Sequence, residues 1–385
     1  MSYIDVPTQD EILELASIRE PACVSIYVYA AAGPDASDTA RIEVHTRLRS
    51  ATELLEAAGT DAHTIESIRA AVESLLVERD FWRRDTRTLA IFANGTSLVS
   101  FHLANKLLGL TEVSDRFAIT PVLRATTFPH SAFVLALSQN AVRLIDVTPA
   151  SPASEIEVPD LPHDLKTTVA LDLTNDRQTL AHLRTSEDPK VRMREFSQAV
   201  DRALRPIVAD SDRPMILAAT EPLASIYRSV STYARLAKEM ITGNPETISA
   251  LELAASATPI LDSAHAAELA TQIARFHGRT SRGLADDTLT GVALAAMSKA
   301  IDTLFVGIDQ RIPGRIDELS GIITRTEDEN ETPENNAPAN ETTYDVIDEI
   351  VRRALSSDAR IFAVRGSEVP GNGPVAATLR FPVNA

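Results

Sequence analysis

FVLALSQNAVRLIDV (133–147) and VRMREFSQAVDRALRP (191–206) decide the fold class of this chain. The first stretch holds two runs of alternating apolar residues broken by Ser138-Gln139-Asn140, which predicts a β-hairpin. A third run over Glu155–Val158 extends the hairpin to a meander. In the second stretch the period changes: Met193, Phe196, Val200, Leu204 and Ile207 recur at three- and four-residue steps, which gathers them on one face of a helix. A strand at Met215–Ala219 follows, and Thr220-Glu221-Pro222 opens a further helix with a capping hydroxyl and a proline in its first turn. This order predicts a three-layer α/β unit with a long excursion, Asp160 to Pro189, between the meander and its first helix.

Toward the N-terminus, Val24, Ile26 and Val28 alternate within a predicted buried strand, Ala22–Tyr29, and two helical stretches run from Ser37 to Ala58 and from Thr64 to Val77. Asn94-Gly95 joins Leu89–Ala93 to Ser97–His102 and favours a type I′ turn, whose two central residues need positive φ. Phe117–Val122 reads as one more strand. Toward the C-terminus the expected elements are helices at Pro222–Ala234, Ser249–Ala255, Asp262–His277, Asp286–Ile301 and Tyr344–Leu355, with strands at Thr303–Ile308, Arg360–Val364 and Ala376–Phe381. TRTEDENETPENNAPANETT (324–343) is acidic and of low complexity, so Thr326–Glu341 is expected to be a mobile loop. Three α/β domains result: 1–128, 129–260 and 261–385.

A chain of 385 residues has room for two or three domains, and 44% hydrophobic with 24% charged residues is an ordinary globular balance. Aromatics are 5%, so the cores must be mostly aliphatic. The single cysteine, Cys23, excludes an internal disulfide framework and reads as a small buried hydrophobe. The first residues lack the basic and apolar regions of a signal peptide, and no apolar run approaches the roughly 20 residues that span a bilayer. A cytoplasmic protein with no membrane contact is expected. The net charge of −17 opposes broad, sequence-independent binding to nucleic acid, DNA included. Over 177–205 the balance reverses: Arg177, Arg184, Lys190, Arg192, Arg194, Arg202 and Arg205 outnumber Glu187, Asp188, Glu195 and Asp201. Any RNA-facing surface should lie there.

The phrases LALSQNAVRLIDV, EIEVPDLP and LAATEPLASIYRSVSTYARL resemble the middle domain of bacterial relatives of the archaeal and eukaryotic class-one peptide chain release factor and of Pelota. FWRRDTRTLAIFANG is similar to that family's N-terminal domain, and KAIDTLFVGIDQRIPGRID with AATLRF to its C-terminal domain. The resemblance implies an RNase H-like central α/β domain and an L7Ae-like α/β C-terminal domain. It also implies binding to the ribosome and its RNA, and contact of the last domain with a translation GTPase. In the family the excursion ends in Gly-Gly-Gln, whose glycines let the backbone approach the peptidyl-tRNA ester. Here no glycine stands between Gly109 and Gly243, and the excursion has one glutamine, Gln178. The family's Asn-Ile-Lys-Ser stop-codon motif is absent too.

The expectation is therefore a non-catalytic, translation-associated factor that binds the ribosomal A site in rescue, quality control or hibernation. Two alternatives stand beside it: a peptidyl-tRNA hydrolase acting through Gln178, and an acidic protein-interaction module unrelated to the ribosome. His163 and His182 flank the excursion without an acidic partner at relay spacing and read as solvated residues. Trp82 beside Arg83 and Arg84 could stack on a base, or anchor the second helix onto the sheet. Asp309, just past the strand 303–308, stands where open α/β sheets place ligand contacts, or is a plain loop aspartate. No metal, nucleotide or other cofactor is expected, because HExxH, paired CxxC, GxSxG and GxGxxG after a strand are all missing.

Overall fold

The computed structural model describes residues 7–29, 36–78, 81–83, 87–103, 105–127, 131–148, 151–167, 189–209, 211, 213–317, 320–325 and 344–383. Gln178, Arg177, Arg184, His182 and the acidic stretch 326–341 lie outside them. The fold is α/β throughout and divides into two compact units, one of residues 1–129 with 268–385 and the other of 130–267. Among the described residues no helix is long and apolar enough to cross a membrane.

The first segment opens with helix α1 (Gln9–Ser17), fixed by a reciprocal cap between Thr8 and Glu11. Strand β1 (Cys23–Tyr29) lies between β2 (Thr88–Ala93) and β4 (Leu110–Ser114), with β3 (Leu98–Leu103) outside β2, and all pairs are antiparallel. Helices α2 (Ala36–Ala57) and α3 (Ala62–Val77) cover one face, where Val24, Ile26 and Val28 meet Val44, Leu48, Ile68 and Val72. The opposite face carries Tyr27 and Phe92 into a second core.

Two local expectations change. The 94–97 turn is not type I′, since neither Asn94 nor Gly95 has positive φ. Asn94 Oδ1 instead accepts from the Thr96 and Ser97 amides at 3.0 and 2.6 Å and from both hydroxyls, so a side chain sets the turn. Residues 117–122 are not a strand: they form an irregular buried segment before a short helix, α4 (Leu123–Thr127). Phe117 and Ile119 are buried there, but the amides of Ala118, Ile119 and Thr120 donate to the side chains of Ser25 and Asp348 rather than to a ladder.

The central unit is a five-stranded sheet: β5 (Ala132–Leu137), β6 (Val142–Thr148), β7 (Ser151–Ile156), β8 (Met215–Ala219) and β9 (Leu236–Thr242) in the order β7-β6-β5-β8-β9. The first three form the predicted antiparallel meander, and β8 and β9 run parallel to β5, the arrangement expected of an RNase H-like domain. Helices α5 (Pro189–Val208) and α6 (Leu223–Val230) cover one face; Leu253, Ala257 and Ile260 of α7 (Ala250–Thr280) cover the other. The alternation in 133–147 places Phe133, Leu135 and Leu137 on the α5 side, and Val134 and Ala136 opposite.

Helix α6 starts one residue past Pro222 with no side-chain cap, so the predicted capping hydroxyl is not used; Glu221 instead accepts from the Ser225 hydroxyl at 2.6 Å. The two helices expected around 249–255 and 262–277 are one, with Pro259 inside. Burial of Ala257 and Ile260 against the sheet offsets the hydrogen bond that proline removes.

In the last segment β11 (Ile301–Gly307) pairs in parallel with β15 (Arg360–Val364) and antiparallel with β16 (Val375–Leu379), which also holds β10 (Ala285–Asp286). A smaller sheet joins β12 (Pro313–Ile316) to β13 (Ile323–Arg325) and β14 (Tyr344–Asp345). Helices α8 (Leu289–Met297) and α9 (Val346–Ser356) pack with these strands.

Candidate functional site

Helix α5 carries the described part of the basic stretch. Met193, Phe196, Val200, Leu204 and Val208 are buried against the sheet, so the intervening positions face outward. Lys190, Arg192, Arg194, Arg202 and Arg205 are all exposed. At roughly 100° per residue, Lys190, Arg194, Arg205 and Arg202 fall within a sector of about 120°, and Arg192 stands apart on the other flank. A helix of 20 residues is about 30 Å long, so this face can follow several phosphates of a backbone.

Arg205 is partly committed. It donates through Nε and Nη2 to Asp201 Oδ2 at 3.2 and 3.0 Å. Asp201 is itself buried and accepts from the Thr232 amide at 3.0 Å and the Thr232 hydroxyl at 2.9 Å. One carboxylate thus ties α5 to the loop before β9. Counting charges along the sequence treats Asp201 as a surface acid opposing the arginines; it points inward, and the exposed face is more basic than the count suggests. Glu195 remains exposed on the helix.

The start of the excursion lies on the central domain. Val158, Leu161 and Leu165 join the core beneath α5. The Leu165 amide donates to the Gln139 carbonyl at 2.9 Å, which fixes the chain to the β5–β6 turn. Ser138 Oγ orders that turn by accepting from the amides of Asn140 and Ala141 at 3.1 and 2.9 Å. Asp164 accepts from the Thr167 amide at 2.7 Å, and bonds from the Thr167 side chain and amide hold its carboxyl down at about 2. His163 is exposed, as expected of a solvated residue, but it does have an acidic neighbour: its Nδ1 lies 3.3 Å from Asp164 Oδ2.

Other singled-out residues take structural roles. Trp82 donates from Nε1 to the Leu75 carbonyl at 2.7 Å and meets Phe81 edge-on, so it anchors α3 rather than offering a stacking face. Cys23 is fully buried, and burial pushes its thiol up to about 11. Asp309 accepts from the Gly366 amide at 2.8 Å. Sequence reasoning missed a group of acids in the other unit: half-buried Glu112 and buried Asp345, which both meet Arg311, and buried Asp348, whose carboxyl feels the charges of the other two. Only Asp345 carries a local signal, as the N-cap of α9. Among the described residues no group of three or more His, Cys, Asp or Glu side chains is suited to a metal ion.

Residues 129–267 match the family model of the bacterial archaeo-eukaryotic release factor family 11. Among solved structures, the chain is similar to an archaeal translation termination factor, aRF1, at 14% identity over 97% of this chain and 99% of that one, with a TM-score of 0.24. It is similar to archaeal Pelota, ribosome-bound together with ABCE1, at 12% identity over 98% and 95%, with a TM-score of 0.43. It is similar to Dom34 of S. cerevisiae, a translation termination-like factor of RNA quality control that interacts with Hbs1, at 10% identity over 77% and 81%, with a TM-score of 0.39. No curated protein matches the chain.

Proposed function

We propose that this chain, whose residues 129–267 belong to the bacterial archaeo-eukaryotic release factor family, is a non-catalytic, cytoplasmic translation factor that binds the ribosomal A site in rescue, quality control or hibernation. The observation that carries the reading is the exposed basic face of α5 on the family's own domain. The net charge of −17 does not overrule a local patch, because charges more than about 10 Å away are largely screened at 0.1 M salt. Chemistry is left out because the excursion has no glycine and one glutamine, Gln178, so it lacks residues that let a backbone pass close to an ester. Arg177 and Arg184 extend the RNA-facing stretch, and the 261–385 segment is the part that meets a translation GTPase. The segments 1–128, 129–260 and 261–385 are the three regions of this factor, the first and last packed on one core.

Co-sedimentation with 70S ribosomes tests the proposal. The chain should pellet with ribosomes at low salt and be released as salt rises, because each phosphate contact adds roughly one to the slope of log affinity against log salt. Replacing Arg194 and Arg202 by Ala should weaken binding and lower that slope by about two. A chain that stays in the supernatant at low salt overturns the reading. Release of peptide from peptidyl-tRNA by the parent, lost in Gln178→Ala, would make the protein a hydrolase instead.

A further inference from the structure

We propose that a cavity built by the first and last segments of the chain binds a small organic ammonium ion with an apolar body, its charge facing Asp348. The cavity is about 440 Å³, within the size range of small-ligand sites. Leu107, Leu108, Leu110 and Ile308 give it a largely apolar wall, and Asp309, Asp345 and Asp348 lie in its lining.

Asp348 is 4% exposed. Its Oδ1 accepts from the amides of Ile119 and Thr120 at 3.1 and 2.7 Å and from the Thr120 hydroxyl. Its Oδ2 forms no hydrogen bond among the described residues, and no cation pairs with it there. Arg311, also in the lining, is already shared: it pairs with Glu112 through Nη2 and stands 3.6 Å from Asp345 through Nε. Glu112 and Asp345 therefore share Arg311, and Asp348 is left without an ion pair among the described residues.

The other two cations of the lining do not resolve this. The Lys106 ammonium sits over the Tyr29 ring, 4.9 Å from its centroid, and Arg365, an exposed residue whose amide donates to Glu368 at 2.9 Å, forms no ion pair with Asp348 among the described residues. Burial pushes the Asp348 carboxyl well above its ordinary range, and the charges of Asp345 and Glu112 push the same way. A positive group beside Oδ2 would relieve all three effects. The apolar wall and the single free oxygen suit an amine with a hydrocarbon body better than a metal ion, which needs several ligating oxygens.

The probe is 3-methylbutylammonium, titrated calorimetrically into the full chain at pH 8, beside its neutral and anionic counterparts 3-methylbutanol and 3-methylbutanoate. The amine should bind saturably and at least tenfold more tightly than either counterpart. Asp348→Asn keeps an acceptor for the Ile119 and Thr120 amides and should weaken amine binding tenfold or more. Leu108→Ala trims the wall at an exposed position and should weaken it severalfold. If Asp348→Asn does not fold, the Leu108→Ala result decides. No saturable amine binding, equal binding of the alcohol, preference for the carboxylate, or affinity unchanged in the folded variants overturns the proposal. Ribosome binding plays no part in these outcomes, so either proposal can fail alone.

Discussion

Asp201 and Asp348 are both buried carboxylates, yet their partners assign them different energetics. Asp201 has four hydrogen bonds, including two from a guanidinium. Removing it in Asp201→Ala strands the Thr232 amide and hydroxyl, at a cost of about 2–3 kcal/mol in urea unfolding; a change under about 0.5 kcal/mol would show that water takes over. Asp348 has hydrogen bonds but no cation partner among the described residues, and its folded pKa lies above the unfolded value of 3.8. Its stabilising contribution is then complete below the unfolded value and is lost as pH rises through the folded one. Asp348→Asn, with no proton to lose, should show a smaller fall in Tm between pH 4 and pH 8 than the parent; parallel profiles would refute this. Cys23 follows the same sign: with the thiol raised from 9.0 to about 11, its contribution is intact below pH 9 and fades toward 11, and the folded chain should resist alkylation at pH 8. The cysteine's burial was legible because it begins an alternating run. Asp348 was not, because its partners stand 228 and 229 positions away.

At the scale of elements, amphipathic period gave the strongest signal. Helix α5 and strands β5, β6 and β8 emerge from their apolar spacing within a residue or two, since each sets a periodic run of apolar residues into the core. Strand β9 escaped because it is an edge strand with only Ile241 buried, so LAKEMIT shows no clean alternation. The 117–122 segment misled for the converse reason: its apolar residues alternate, but its amides are satisfied by side chains from elsewhere. The two sides of α5 give a paired test. Phe196→Ala, at a fully buried position, should cost about 3–5 kcal/mol, whereas Val191→Ala, at 44% exposure, should stay within about 0.5 kcal/mol. Similar losses at both sites would mean that α5 is not seated on the sheet through this face.

At the scale of the whole molecule, the first and last segments share a single core. Phe117, Ile119, Val122 and Leu123 belong to the same apolar cluster as Ile347, Ile350 and Val351. Ion pairs reinforce it: Glu349 of α9 meets Arg19, at 3.3 Å, and Arg116, whose guanidinium also lies 3.7 Å from the Tyr344 ring centroid. Burial works against the Glu349 carboxylate, but hydrogen bonds from Arg352 and Arg353 hold it below its ordinary range. Arg124 donates to the Ala363 carbonyl at 2.9 Å, and the Ala363 amide to Thr127 at 3.1 Å. Periodicity and turn signals locate elements but say nothing of contacts between residues 233 positions apart, such as Arg116 and Glu349. The consequence concerns fragments. Residues 130–267 enclose two complete cores of their own and should unfold cooperatively when expressed alone. Residues 1–129 alone would expose the apolar face that 268–385 covers, and should be aggregated or lack a cooperative transition until both pieces are co-expressed. Circular dichroism melts of the fragments, singly and together, check this. A sharp transition in isolated 1–129 would show that its own sheet and helices suffice and that the shared core contributes little.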